Sequence, residues 1–129
     1  MIEESRDIKW FEWKYQISNL WNVKSFVNNN IKWKEYFKKP WINKDWYNYV
    51  MLKKDWKRIN CLLHRLVLSS FLENIENKRT VNHKDWNKLN NILENLEWAT
   101  DYENVTHYHK KSKNLKQIDD IEFKEDLPF

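Results

Sequence analysis

The stretch VNHKDWNKLNNILENLEWAT, Val81 to Thr100, gathers five asparagines around one histidine and then closes on an apolar segment. With Thr80 in front, TVNHKD reads as a short strand ending at His83, because β-branched residues alternate with polar ones before turn formers take over. An Asn-rich loop follows, then a second strand in NLEWA. Thr100-Asp101-Tyr102-Glu103 fits the S/T-x-x-E capping box, so a helix is expected from Asp101 to about Lys111. The order is strand, loop, strand, helix.

Working upstream, CLLHRLVLSSFLENI changes to a helical period. Leu63, Leu66, Val67, Ser70 and Phe71 fall on one face with His64 and Arg65 turned aside, which makes this the expected core helix. His64 reads as a structural histidine, and Arg65 suits either a phosphate or a neighbouring carboxylate. From Ile31 to Arg58 the chain carries nine Lys+Arg against three acids. Tyr47, Tyr49 and Met51 alternate there with Asn48, Val50 and Leu52, the pattern of a basic hairpin or ribbon that can lie along a nucleic-acid groove, or of a solvated sheet face. The segments KYQISNL and NVKSF read as short strands.

The charge is uneven. The net value is +4 over 129 residues, but residues 1–116 hold 22 Lys+Arg against 14 Asp+Glu, while QIDDIEFKEDLPF holds 1 against 5. A body this basic favours a polyanionic partner. The single cysteine, Cys61, excludes a disulfide framework or a multi-thiolate zinc site within the chain. No apolar run approaches the roughly 20 residues of a membrane span, and MIEESRDIK lacks the apolar stretch of a secretion signal. An intracellular, cytoplasmic protein of a bacterial or phage host is expected, acting as a monomer and without a membrane.

Glycine is absent, where about nine would be expected at about 7%, and tryptophan appears nine times. Asp45-Trp46, Asp55-Trp56 and Asp85-Trp86 sit where Asp-Gly would form a turn. Trp10, Trp13, Trp21, Trp33, Trp41, Trp46, Trp56 and Trp86 therefore read as positions of glycine in the natural protein, as a UGA codon for glycine translated as tryptophan would produce. Trp98, inside NLEWAT, reads as a true tryptophan. The competing reading is an aromatic surface that stacks on bases, which leaves the missing glycines unexplained.

On this scaffold His83 ends one strand, Asn95 begins the next, and Asn104 lies in the first helical turn, one turn before His107. Single-metal phosphodiester hydrolysis needs a base for water, a divalent cation and a group that fixes the base, and the stretch supplies residues for all three. NHKDWNKLNNILENLEWAT with DYENVTH resembles the HNH motif of phage and intron homing endonucleases, with Trp86 at the family's glycine. LLHRLVLSSFLEN resembles the helix before that motif, and IKWFEWKYQISNLWNVKSF the accompanying N-terminal module.

The resemblance implies an α+β protein: a β-rich N-terminal region followed by a ββα-metal (HNH, His-Me finger) nuclease motif. It implies His83 as general base, Asn95 fixing the loop that orients it, and Asn82 and Asn104 holding one divalent ion, Mg²⁺. His107 is an alternative or additional ligand. Asn82 stands where some members have aspartate, a stronger ligand for a hard cation. The products would carry 5′-phosphate and 3′-hydroxyl ends. The expected organisation is a basic DNA-binding region over 1–58, the nuclease domain over 59–111 and an acidic tail over 112–129, with Lys53, Lys54, Lys57, Arg58 and Arg65 on the phosphates of double-stranded DNA. A non-catalytic DNA-binding protein with a decayed site is the alternative. A zinc-stabilised structural module is disfavoured by the lone Cys61.

Overall fold

A computed structural model describes residues 2–28 and 33–124, with side chains over 2–27 and 33–113. Positions 29–32, of which 31 and 32 begin the expected basic ribbon, and 125–129, inside the acidic tail, lie outside it. Four antiparallel strands open the chain in spatial order β1 (Ser5–Asp7), β2 (Tyr15–Ser18), β3 (Val23–Asn28) and β4 (Trp33–Lys38). A second antiparallel sheet follows from β5 (Trp41–Ile42), β6 (Asn48–Lys54) and β7 (Lys57–Leu62). The expected ribbon is therefore divided, its first strand belonging to the N-terminal sheet.

The period-2 pattern of β6 comes out as read: Asn48, Val50 and Leu52 are buried and Met51 is exposed. Helix α1 (Leu63–Phe71) continues directly from β7. Its buried face is Leu63, His64, Val67 and Leu68, which corrects the expected face. His64 is 6% exposed rather than turned aside, because the neighbouring rings of Tyr47 and His83 give the imidazole an aromatic pocket.

The last unit is β8 (Thr80–His83), a 3₁₀ turn (Leu93–Asn95), β9 (Leu96–Ala99) and α2 (Asp101–Lys124). The antiparallel pair runs Thr80 opposite Ala99 to His83 opposite Leu96. The capping box closes as expected: the Glu103 backbone N–H donates to Thr100 Oγ1 at 3.1 Å, and the Thr100 N–H to Glu103 Oε1 at 3.4 Å. Asp101 and Glu103 in the first turn also complement the helix dipole. The helix continues past the expected end near Lys111 into the acidic segment. Among the described residues no helix is long and apolar enough to cross a membrane.

One core joins these parts. Ile8, Phe11, Tyr15, Ile17 and Val23 from the N-terminal sheet pack with Val50, Leu52, Leu63, Val67, Leu68 and Leu96. The Tyr15 hydroxyl accepts from the Lys53 N–H at 3.0 Å, tying the first sheet to the second. The boundary expected between residues 58 and 59 falls inside β7.

Among the described residues seven have positive φ: Trp10, Trp13, Trp21, Trp46, Asp55, Asn77 and Trp86. For a residue with a Cβ this region costs roughly 1–2 kcal/mol, and only Asn and Asp visit it routinely. Tryptophan is the unusual occupant.

Candidate functional site

Strand β8 turns successive side chains to opposite faces, and this separates the expected site residues. Thr80 and Asn82 face α2. The Asn82 Nδ2 donates to Glu97 Oε1, directly across the ladder, at 2.8 Å. The Asn104 Nδ2 donates to Thr80 Oγ1, so both amides commit their nitrogen ends. Neither carboxamide oxygen accepts a hydrogen bond from a described residue. Beside them a cleft of about 250 Å³ runs between the strands and the helix, lined in part by Asn82, Glu97, Glu103, Thr106, His107 and Lys110.

His83 faces the other way, toward α1. Its ring lies 5.1 Å from that of His64 and 6.2 Å from that of Tyr47. Its Nε2 is 2.9 Å from Oδ1 of the fully buried Asn91. An amide oxygen only accepts, so this contact requires a hydrogen on Nε2 and leaves Nδ1 as the basic nitrogen. Burial holds the His83 pKa below the usual imidazole value, against the Asn91 hydrogen bond and the Asp85 charge, while Lys88 lowers it further. A neutral imidazole at neutral pH is the form a general base needs. Among the described residues, His83 makes no hydrogen bond to Asn82 or Asn104.

Asn95 braces the loop from within. Its Oδ1 accepts from the Asp85 N–H at 3.0 Å, and its Nδ2 donates to Asp85 Oδ1 and the Asn90 carbonyl, both at 2.8 Å. It fixes the chain between His83 and Asn91 without touching the imidazole. Asp85 also accepts from Asn90 Nδ2 and the Asn87 N–H at 2.8 Å. Partial burial opposes these bonds, yet together they hold its carboxyl below the usual value. Asn91 is the residue that sequence reasoning missed. Its only signal was its place in a run of similar amides.

The five basic residues expected on phosphates separate into two groups. Lys53 faces Arg58 and Lys54 faces Lys57 across the β6–β7 hairpin, all exposed. Lys53 and Arg58 line a groove of about 630 Å³ with Lys38, Lys39, Tyr36 and Phe37, so Lys38 and Lys39 were missed too. Arg65 is held elsewhere: its Nη1 donates to the Arg79 carbonyl at 3.1 Å and its guanidinium lies over Trp98.

A β-hairpin capped by a helix, with an imidazole at the end of its first strand and amides on the helix side, defines a ββα nuclease motif. Residues 61–106 match the model of the HNH endonuclease family. A solved structure described as "DNA binding and cleavage by the HNH homing endonuclease I-HmuI" superimposes with a TM-score of 0.72 at 36% identity, covering 92% of this chain and 67% of that one. Among curated proteins no sequence matches significantly. The chain belongs to the HNH homing endonuclease family and is a nuclease.

Proposed function

We propose that this protein hydrolyses phosphodiester bonds of duplex DNA, with Nδ1 of His83 taking the proton from the attacking water. The observation that carries this reading is the His83–Asn91 contact, which leaves a neutral, oriented imidazole at the end of β8.

The donor set fits a hard divalent cation such as Mg²⁺. Asn82 and Asn104 each donate one hydrogen bond from Nδ2, their oxygens accept none from a described residue, Glu97 stands beside Asn82, and oxygen ligands are what such ions prefer. When bound there, the ion supplies positive charge to the phosphate and the leaving 3′ oxygen. The remaining work belongs to the chain. Asn91 holds the base, Asn95 and Asp85 hold the loop, and Lys38, Lys39, Lys53 and Arg58 grip phosphates along the groove.

The test is supercoiled plasmid incubated with purified protein, Mg²⁺ and, in parallel, a chelator. Nicked or linear product with the metal and none with the chelator is expected. Intact plasmid under both conditions, from protein that still binds DNA, overturns the proposal in favour of a DNA-binding protein with a decayed site.

A further inference from the structure

We infer that residues 10, 13, 21, 46 and 86 are glycine in the natural protein, and that the ring face of His107 which the Trp86 indole covers is consequently open. The backbone carries the first part. Trp10 and Trp13 each occupy the third position of a turn closed by a hydrogen bond, Phe11 N–H to the Ile8 carbonyl at 2.9 Å and Lys14 N–H to the Phe11 carbonyl at 3.1 Å. Their φ values of 75° and 73° are those of a type II turn, whose third residue calls for glycine.

Trp21, Trp46 and Trp86 each occupy the fourth position, donating to Ser18, Asn43 and His83 carbonyls at 3.0 Å with φ of 60°, 68° and 61°. A left-handed residue closing a turn in this way is again a glycine position. Asn77 provides an internal control. It makes the same fourth-position bond, to Asn74 at 3.0 Å with φ of 52°, and it is a residue that tolerates this region.

Three of the five indoles give little reason to be there. Trp10, Trp13 and Trp46 are 67%, 84% and 68% exposed. Trp21 and Trp98 both pack on the core, and Trp98 also donates its Nε1–H to the Leu72 carbonyl at 3.0 Å. Trp33 and Trp41 lie in strands and lack positive φ, and at the β6–β7 turn it is Asp55, not Trp56, that has it. The backbone therefore assigns five of the eight positions. A UGA codon read as glycine in the source accounts for all five at once and for the absence of glycine from the chain.

Position 86 has a consequence for the site. The Trp86 indole stacks on His107, ring centres 4.8 Å apart, and donates to the His107 carbonyl at 3.3 Å. His107 Nε2 is buried there without a hydrogen-bond partner. His107 already lines the cleft with Asn82 and Glu97; without the indole its imidazole loses this cover and is more accessible there.

The gene's codons test the first part directly. UGA at the five positions with UGG at Trp98 is expected, and UGG at the five overturns the inference independently of any activity. For the protein, Trp13→Gly is expected to raise the melting temperature by several degrees, and a fall overturns the turn assignment. Trp86→Gly is expected to raise plasmid cleavage by about 10- to 100-fold, since misplacement by an ångström can cost that much. In parallel, diethyl pyrocarbonate labelling of His107 should rise severalfold, a readout that does not depend on nuclease activity. Unchanged labelling overturns the second part.

Discussion

The β6–β7 hairpin and the longer loop between β8 and β9 both join antiparallel strands, yet they treat their polar groups in opposite ways. In the hairpin Lys53 faces Arg58 and Lys54 faces Lys57, like charges directly opposite, a pairing that destabilises a sheet. In the loop Asp85 gathers three donors and Asn95 spans both sides. One region keeps a repulsion that a polyanion relieves. The other has used its hydrogen bonds to fix a single geometry before substrate arrives. On the proposed function binding and chemistry divide along the chain, and each half of that division can be attacked separately.

The largest effect expected is on the chemistry. His83→Ala should lower plasmid cleavage by about 10²- to 10⁴-fold, the range general-base catalysis contributes, while the dissociation constant for duplex DNA stays within about twofold. Parallel loss of binding and cleavage would join the two regions and break the comparison. Next comes Asn91→Ala, which removes the partner that sets the His83 tautomer. A fall of about 10- to 100-fold in kcat is expected with KM little changed. Asn91→Asp, which still accepts from Nε2, should recover part of the rate and move the acid limb of the pH profile upward, because a carboxylate favours the imidazolium. A simple packing role predicts no such shift.

The grip is tested by salt. Lys53→Gln with Arg58→Gln should reduce the slope of log affinity against log salt by roughly 2, about 0.9 for each lost phosphate contact, and leave single-turnover cleavage of bound DNA unchanged. An unaltered slope would show that the groove does not hold phosphates. The same experiment on Arg65→Gln should change the slope little, because that guanidinium is fastened to Arg79 and Trp98.

Legibility in the sequence followed the range of the interactions. The capping box, the alternation in β6 and the β8–β9 pair are set by neighbours in the chain, and each appeared where the pattern put it. The burial of His64 was not legible. It depends on Tyr47, from before β6, and His83, from β8, meeting over α1. Asn91 was hidden for the opposite reason: it stands among Asn87, Asn90 and Asn95, and only the path of the loop selects which amide reaches the imidazole. Similarly, Lys38 and Lys39 join Lys53 and Arg58 in one groove only because two separate sheets come together.

The smallest expected effect is one of stability, and it sharpens the comparison by asking whether the chemical half alone is sensitive to acid. Burial, followed by the charges of His83 and Arg65, lowers the His64 pKa from 6.5 to about 3. Between those values the unfolded chain binds a proton at this site that the folded chain does not. Stability must therefore rise with pH across the window and fall as pH drops from 6.5, by up to about 1.4 kcal/mol per unit. His83, whose pKa is also lowered by burial, adds a slope of the same sign. Between pH 6.5 and 5 carboxylates remain largely ionised, so the histidines dominate. Urea unfolding of the protein and of His64→Leu over that interval should give a shallower pH dependence for the variant. Equal slopes would mean that His64 stays accessible to protons in the folded protein, and that the aromatic pocket above α1 is looser than its ring contacts imply.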